Sequence, residues 1–242
     1  MMQNEEGAVE ANEAADIATG QSILAEDLLL LLFQPDSGTV AGENILFYAL
    51  AGAMLADLAL EERVTTTSET SMLAKVDAVA DAAPTDPLLL SAWQYVAQKP
   101  RNVQTVLAAI GPSLRGPVLQ RLIDRGDVVE SDHKVLGFIP SKKLSLGYTG
   151  RREALIASVH EVLVDGADPT PRIAALTALV YGAGTLPQLH REIPWNSAVI
   201  TRAEELKSGN WGAEAASQAV ARTMAALIAN SIVVSTTIAP RG

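Results

Sequence analysis

The sequence predicts a mainly α fold, a central helical bundle ringed by amphipathic helices with one β-hairpin. Apolar residues recur at helical spacing over most of the chain. A stripe of small residues, Ala49, Gly52, Ala53 and Ala56, marks a helix that packs closely on its neighbours. One short alternating segment, near residues 128–145, interrupts the helical pattern. Aromatic residues make up only 4% of a chain that is 48% hydrophobic, so leucine, alanine, valine and isoleucine must fill the core.

Residues 1–20 contain Glu5, Glu6, Glu10, Glu13 and Asp16 and no Lys or Arg. They read as an acidic disordered tail ahead of a single domain over 21–238, and they lack the basic start and apolar stretch of a secretory signal. A first helix is expected from Ser22, as N-cap, to Phe33, with Glu26 and Asp27 near the first turn, where the helix dipole favours negative charge. Pro35-Asp36-Ser37-Gly38 is a turn signal. The central helix runs from about Asn44 to Glu62, and the β-branched run Val64 to Thr67 is a short strand candidate. Pro84 and Pro87 open a helix over Leu88 to Gln98. Asn102 caps the next, Val103 to Ile110, which Gly111 ends. A helix over Ser113 to Arg125 places Leu114, Val118, Leu119 and Leu122 on one face, and Gly126 suits a left-handed stop.

The hairpin is read as Val128-Val129, a polar turn at Ser131 to Lys134, and Val135 to Ile139. Helices return at Arg151 to Val164, at Pro171 to Tyr181 behind a Thr170 cap, at Ser197 to Ser208 and at Ala213 to Val234. The stretch Thr223 to Ala239 is free of charge, but Asn230, Ser231, Ser235, Thr236 and Thr237 make it too polar for lipid. It reads as a buried core helix rather than a membrane span.

Charge and composition exclude several functions. With no cysteine there is no disulfide, thiolate zinc site or cysteine nucleophile, and a reducing, cytoplasmic setting is expected. The formal net charge of -10 disfavours bulk attraction to nucleic acid or anionic lipid. Between Arg101 and Arg152, however, nine basic residues face four acidic ones, a local balance of +5. That segment reads either as a basic face or as ordinary solvated helix faces. No nucleophile elbow or phosphate loop is present, and Gly182-Ala183-Gly184 follows a helix rather than a strand. His133, His160 and His190 are scattered, so no metal site and no cofactor are expected. Glu61-Glu62 and Glu204-Glu205 read as solvated helix positions, and the chain is not expected to be an enzyme.

The hairpin carries the remaining candidates. Leu136, Phe138 and Ile139 are apolar, Pro140 breaks the strand, and Lys142 and Lys143 follow. Apolar residues beside lysines suit the edge of a bilayer. A hairpin packed on its own domain or on a partner subunit fits equally. A helix followed by such a hairpin is also similar to the recognition helix and wing of a winged-helix module, which leaves nucleic-acid binding as a rival, while the acidic balance of the whole chain favours no nucleic-acid partner.

Five strings, taken in order, resemble the Golgi phosphoprotein 3 family, especially its bacterial branch. They are Ile23 to Leu31, Tyr48 to Leu60, Leu122-Ile123-Asp124-Arg125-Gly126, Val135-Leu136-Gly137-Phe138-Ile139-Pro140, and Pro171 to Leu179. The resemblance implies a helical fold with a protruding hairpin and a peripheral membrane protein on a cytoplasmic face. In eukaryotic members it implies a phosphatidylinositol 4-phosphate site built from a tryptophan and several arginines. It also implies recruitment of membrane enzymes by their tails, and a hairpin tied to self-association and membrane contact. The family tryptophan falls here at Gly42, one arginine at Ala51, and two more at Pro112 and Arg115. One ligand of four is kept, and a phosphate needs several convergent donors. The favoured lipid surface therefore combines Arg115 and Arg121 with the Lys142-Lys143 hairpin. The expectation is an adaptor that meets an anionic phospholipid. The alternative is a cytosolic scaffold that binds a protein partner, or itself, through the hairpin.

Overall fold

A computed structural model describes residues 22–67, 74–135, 139–209 and 223–229, with residues 133–135 and 139–141 described by their backbone. In chain order the elements are α1 (Leu24–Leu32), β1 (Phe33–Gln34), β2 (Thr39–Val40), α2 (Leu46–Leu60), β3 (Val64–Thr66), β4 (Lys75–Ala78), α3 (Pro87–Ala97), β5 (Arg101–Asn102), α4 (Val103–Ile110), α5 (Arg115–Asp124), β6 (Val128–Val135), β7 (Ile139–Leu146), α6 (Arg151–His160), α7 (Pro171–Gly182) and α8 (Ser197–Lys207). A 3₁₀ turn at Gly111–Ser113 leads into α5, another at Leu186–Leu189 follows α7, and α6 ends in a π turn at Glu161–Asp165. Residues 223–229 are helical. The acidic stretch 1–20, Leu136, Phe138 and most of the expected helix from Ala213 to Val234 lie outside the described residues.

The fold is mainly α, and its centre is the pair α1 and α2. All nine residues of α1 are buried, and α2 is buried from Ala49 to Ala59. The small residues of α2 let neighbours approach on every side. It packs on α1, α3, α4 and α7, while α1 also meets α5, α6 and α7. The outer helices are one-sided: α5 buries Leu114, Val118 and Leu122 and exposes Arg115, Gly116 and Pro117. No helix among the described residues is long and apolar enough to cross a membrane.

Local signals set most helix ends. The Asp86 side chain accepts from the N–H groups of Leu88 (2.8 Å) and Leu89 (3.1 Å), Asn102 from Gln104, and Thr170 from Ile173. Ser22 does not cap α1. Its hydroxyl donates to Asp27, and the Leu24 N–H donates instead to the Asp57 carboxylate on α2. A helix end buried this deeply takes its cap from across the core.

Two small sheets accompany the hairpin. Antiparallel β1 and β2 join across the Pro35–Gly38 turn, and β4 pairs with both β3 and β5. Such strands, two to four residues long, are too short to show alternation, and β4–β5 pairing is closed by the tertiary fold.

The hairpin runs over Val128–Val135 and Ile139–Leu146, but the sequence misplaced its turn. Ser131 to Lys134 is strand, paired with Pro140 to Lys143, and residues 136–138 lie outside the described residues. Polarity there reflects solvent on both faces rather than a turn: Asp132 stands opposite Lys142, whose Nζ lies 3.1 Å from Asp132 and 3.0 Å from Glu130. At the base, the Gly147 N–H donates to the Asp127 carbonyl at 2.8 Å.

Glycine is required at that base and dispensable at position 116. A Cβ at Gly147 would overlap the Gly126 carbonyl oxygen, whereas one at Gly116, on the exposed side of α5, would meet nothing within 4 Å. Gly147→Ala is expected to lower stability by about 3 kcal/mol, the upper end for an overpacked site. Gly116→Ala should raise it by about 0.5–1 kcal/mol. Thermal unfolding followed by circular dichroism checks both signs.

Candidate functional site

The polar centre of the molecule is built on α1. Its sequence leaves no polar face, so Glu26 and Asp27 are carried inside with the leucines and are fully buried. Carboxylates withdrawn from water persist only when cations and donors surround them. Glu26 pairs with Arg121 (3.0 Å) and Arg125, at the two ends of the last turn of α5. Asp27 pairs with Arg151 of α6 and Arg172 of α7, and accepts from the Ser22 hydroxyl at 3.2 Å. The arginines reach further. Arg151 bonds Asp127 (2.6 Å), Arg172 bonds Asp57 (3.2 Å), and Arg121 bonds Asp86 through two contacts of 2.6 and 3.1 Å. One network thus joins α1, α2, α5, α6 and α7 to the N-cap of α3.

Its acids do not titrate alike. Burial pushes Asp57 up to about 7, against the pull of Arg172 and the Leu24 N–H. Burial also raises Glu26, outweighing Arg121 and Arg125. At Asp86 burial acts upward too, but the Arg121 bond and the N–H groups of Leu89 and Leu88 hold it below the usual carboxylate range.

The network surfaces at a cleft of about 530 Å³ between the end of α2, the end of α6 and the start of α7. Asp57 and Arg172 line it with Glu61, Glu161, Asp168 and Thr170. Four acids against one arginine make it an acidic concavity, suited to a cationic group. No group of His, Asp or Glu among the described residues is arranged to hold a metal ion.

The residues singled out in the sequence are not gathered into one site. Arg115 is exposed and paired with Glu43 at 2.5 Å, beside Gly42. Of the other positions of the family ligand set, Ala51 is fully buried and Pro112 sits in the 3₁₀ turn. Arg121 is turned inward to Asp86 and Glu26. Lys142 and Lys143 are exposed on β7, Lys142 held by two acids of β6, and Ile139 opens β7.

The basic balance between Arg101 and Arg152 does not form a basic face. Arg121, Arg125 and Arg151 turn inward, because the buried acids of α1 demand them. Sequence reasoning missed Glu26, Asp27, Asp57, Arg125, Arg151 and Arg172 as one unit. One signal was present: two acids inside the run Ile23 to Phe33, which offers no solvent face.

Replacing Asp27 leaves Arg151 and Arg172 facing each other without it. Asp27→Ala should cost about 3–5 kcal/mol, and Arg115→Ala, at an exposed pair, less than about 1 kcal/mol. Urea unfolding measures both. Asp57 adds a pH dependence. Its folded-state value lies above the ordinary 3.8, so the stability it contributes is fully present below that pH and is lost as pH rises through about 7. Asp57→Asn removes this titration, so its cost should be larger near about pH 5 than near about pH 8. An equal cost at both pH values contradicts this account.

The comparison with curated proteins found no match. The family model of Golgi phosphoprotein 3 (GPP34) matches residues 24–223, from the first residue of α1 to the helical segment near the C-terminus. Four of the five strings that carry the resemblance contribute a member of the buried network: Glu26 and Asp27, Asp57, Arg125, and Arg172. With most of its length matched, from α1 through α8, the chain belongs to the Golgi phosphoprotein 3 family.

Proposed function

We propose that this chain is a noncatalytic, peripheral membrane adaptor whose hairpin is the part that meets the membrane. The observation that carries the reading is the hairpin's attachment. Its strands pack mainly on each other and, through β6, on α5. Val129, Glu130, Ser131, Asp132, Lys142 and Lys143 are all exposed. Strands of eight residues span about 25 Å, so the Val135–Ile139 pair is set at the far end of an arm. Two exposed lysines in a hairpin whose sequence carries Leu136, Phe138 and Ile139 suit an anionic bilayer surface. The acidic cleft at Asp57 and Arg172 supplies a separate surface for a basic segment of a protein partner.

Selectivity for phosphatidylinositol 4-phosphate is not part of this proposal. Arg115 already has Glu43 as its counter-ion, and Gly42, Ala51 and Pro112 offer no side-chain donor. Binding should be weak and salt-sensitive, since Glu130 and Asp132 already neutralise Lys142 and Lys143 adds one exposed charge. A second reading rests on the same arm: the outer edges of a two-stranded sheet leave backbone groups unpaired, which favours pairing with another copy.

Flotation on vesicles of matched surface charge tests both readings, with phosphatidylinositol 4-phosphate or a simple anionic lipid, at low and physiological salt. The membrane reading expects equal, salt-sensitive flotation on both, weakened in Lys142→Glu/Lys143→Glu. Tight phosphoinositide-selective binding that survives physiological salt and vanishes in Arg115→Ala overturns it. A concentration-dependent dimer by analytical ultracentrifugation, with no flotation, selects the self-association reading.

A further inference from the structure

Glu161 is shared between the acidic cleft and a second one, of about 460 Å³, that lies along α6. Two neighbouring rows of the helix line it at i, i+4, i+8 spacing, Arg152–Ile156–His160 and Glu153–Ala157–Glu161. Asp165 of the π turn and Glu192 complete the lining. The volume lies within the range of about 300–1,000 Å³ usual for small-molecule sites.

Arg152 sets this cleft apart. Its neighbour Arg151 is buried too, and although its Nε is left without a hydrogen bond, its terminal nitrogens are ion-paired with Asp27 and Asp127. Arg152 is equally buried, 7% exposed, yet its Nε has no hydrogen-bond partner and it forms no ion pair among the described residues. A largely buried guanidinium with no counter-ion is strongly stabilised by an anion that reaches it. The carboxylates of Glu153, Glu161, Asp165 and Glu192 share the cleft, but none pairs with Arg152, and Asp165 is engaged with His160 at 3.3 Å.

These charges constrain the occupant. A simple anion would satisfy Arg152 but meet four carboxylates. A simple cation would suit the carboxylates but leave Arg152 unpaired. We propose that the cleft along α6 binds a small zwitterion carrying a phosphate and an ammonium. The phosphate pairs with Arg152, in the fork geometry a guanidinium offers, and the ammonium faces the surrounding carboxylates. The phosphoethanolamine unit is the simplest such group, as a free metabolite or as a lipid headgroup. This site is independent of the hairpin and of the membrane reading above.

Calorimetric titration of the full chain with O-phosphoethanolamine tests the proposal. The expected result is saturable binding, with inorganic phosphate and ethanolamine each at least about tenfold weaker. Arg152→Met should abolish it, and Glu161→Gln/Glu192→Gln should weaken it severalfold. Removing an unpaired buried cation breaks no internal ion pair, so the melting temperature of Arg152→Met should hold or rise. Flotation on phosphatidylethanolamine vesicles, against phosphatidylcholine, separates the sources: Arg152-dependent flotation assigns the headgroup, and binding of the free compound alone assigns the metabolite. Absence of saturable binding by the unaltered chain, or phosphate binding as tightly as phosphoethanolamine, overturns the proposal. So does unchanged binding in Arg152→Met, or a loss of several degrees in melting temperature that Arg152→Lys restores. If Arg152→Met does not fold, Arg152→Gln carries the same comparison.

Discussion

Two carboxylates sit at the middle of this molecule with no access to water, and the rest of the architecture answers to them. Glu26 and Asp27 lie on a helix whose other seven residues are leucine or alanine and whose whole surface is covered. Their charge has to be matched from outside the helix. Arg121 and Arg125 come from α5, Arg151 from α6 and Arg172 from α7, so the helices that surround α1 are held in place by what α1 lacks. Apolar burial supplies most of the driving force, but it is non-directional. Charge-assisted bonds of fixed geometry specify which face of each outer helix turns inward.

The same network explains how α1 can begin inside the protein. Its first N–H groups need acceptors, and Ser22, the expected cap, is drawn to Asp27. Asp57 substitutes from α2, accepting from Leu24 while it also holds Arg172. That double duty, at the edge of an acidic cleft, leaves Asp57 a carboxyl that gains and loses its proton near neutrality. Structure and site therefore share residues here, and four of the strings that carry the family resemblance hold members of the internal pairing, Asp27, Asp57, Arg125 and Arg172.

The lipid ligand set that the resemblance implies occupies different ground. Its positions fall at the β2–α2 junction, in α2 and around the 3₁₀ turn before α5, where this chain has Gly42, Ala51, Pro112 and Arg115. Ala51 lies inside the bundle, and Arg115 is matched by Glu43. What remains distinctive on the outside is the hairpin arm, the acidic cleft and the unpaired Arg152.

Helix existence, order and approximate ends were legible in the sequence, as was the place of the hairpin. Each follows from local chemistry: 3.6-residue periodicity, Pro87 and Pro171 at helix starts, Asn102 and Thr170 as caps, and Gly126 in a left-handed conformation after α5. The short strands β1, β2, β4 and β5 and the true position of the hairpin turn were not legible, since they depend on pairing between distant residues or on solvent reaching both faces. Least legible was the role of charge. Arg115, Arg121 and Arg151 are alike in sequence, yet one is exposed, one is shared by two acids and one is buried. Composition reports how many charges a segment carries. Only the tertiary structure decides which of them water solvates and which must find a partner, because that depends on the burial of residues up to 145 positions away, as Arg172 and Asp27 show.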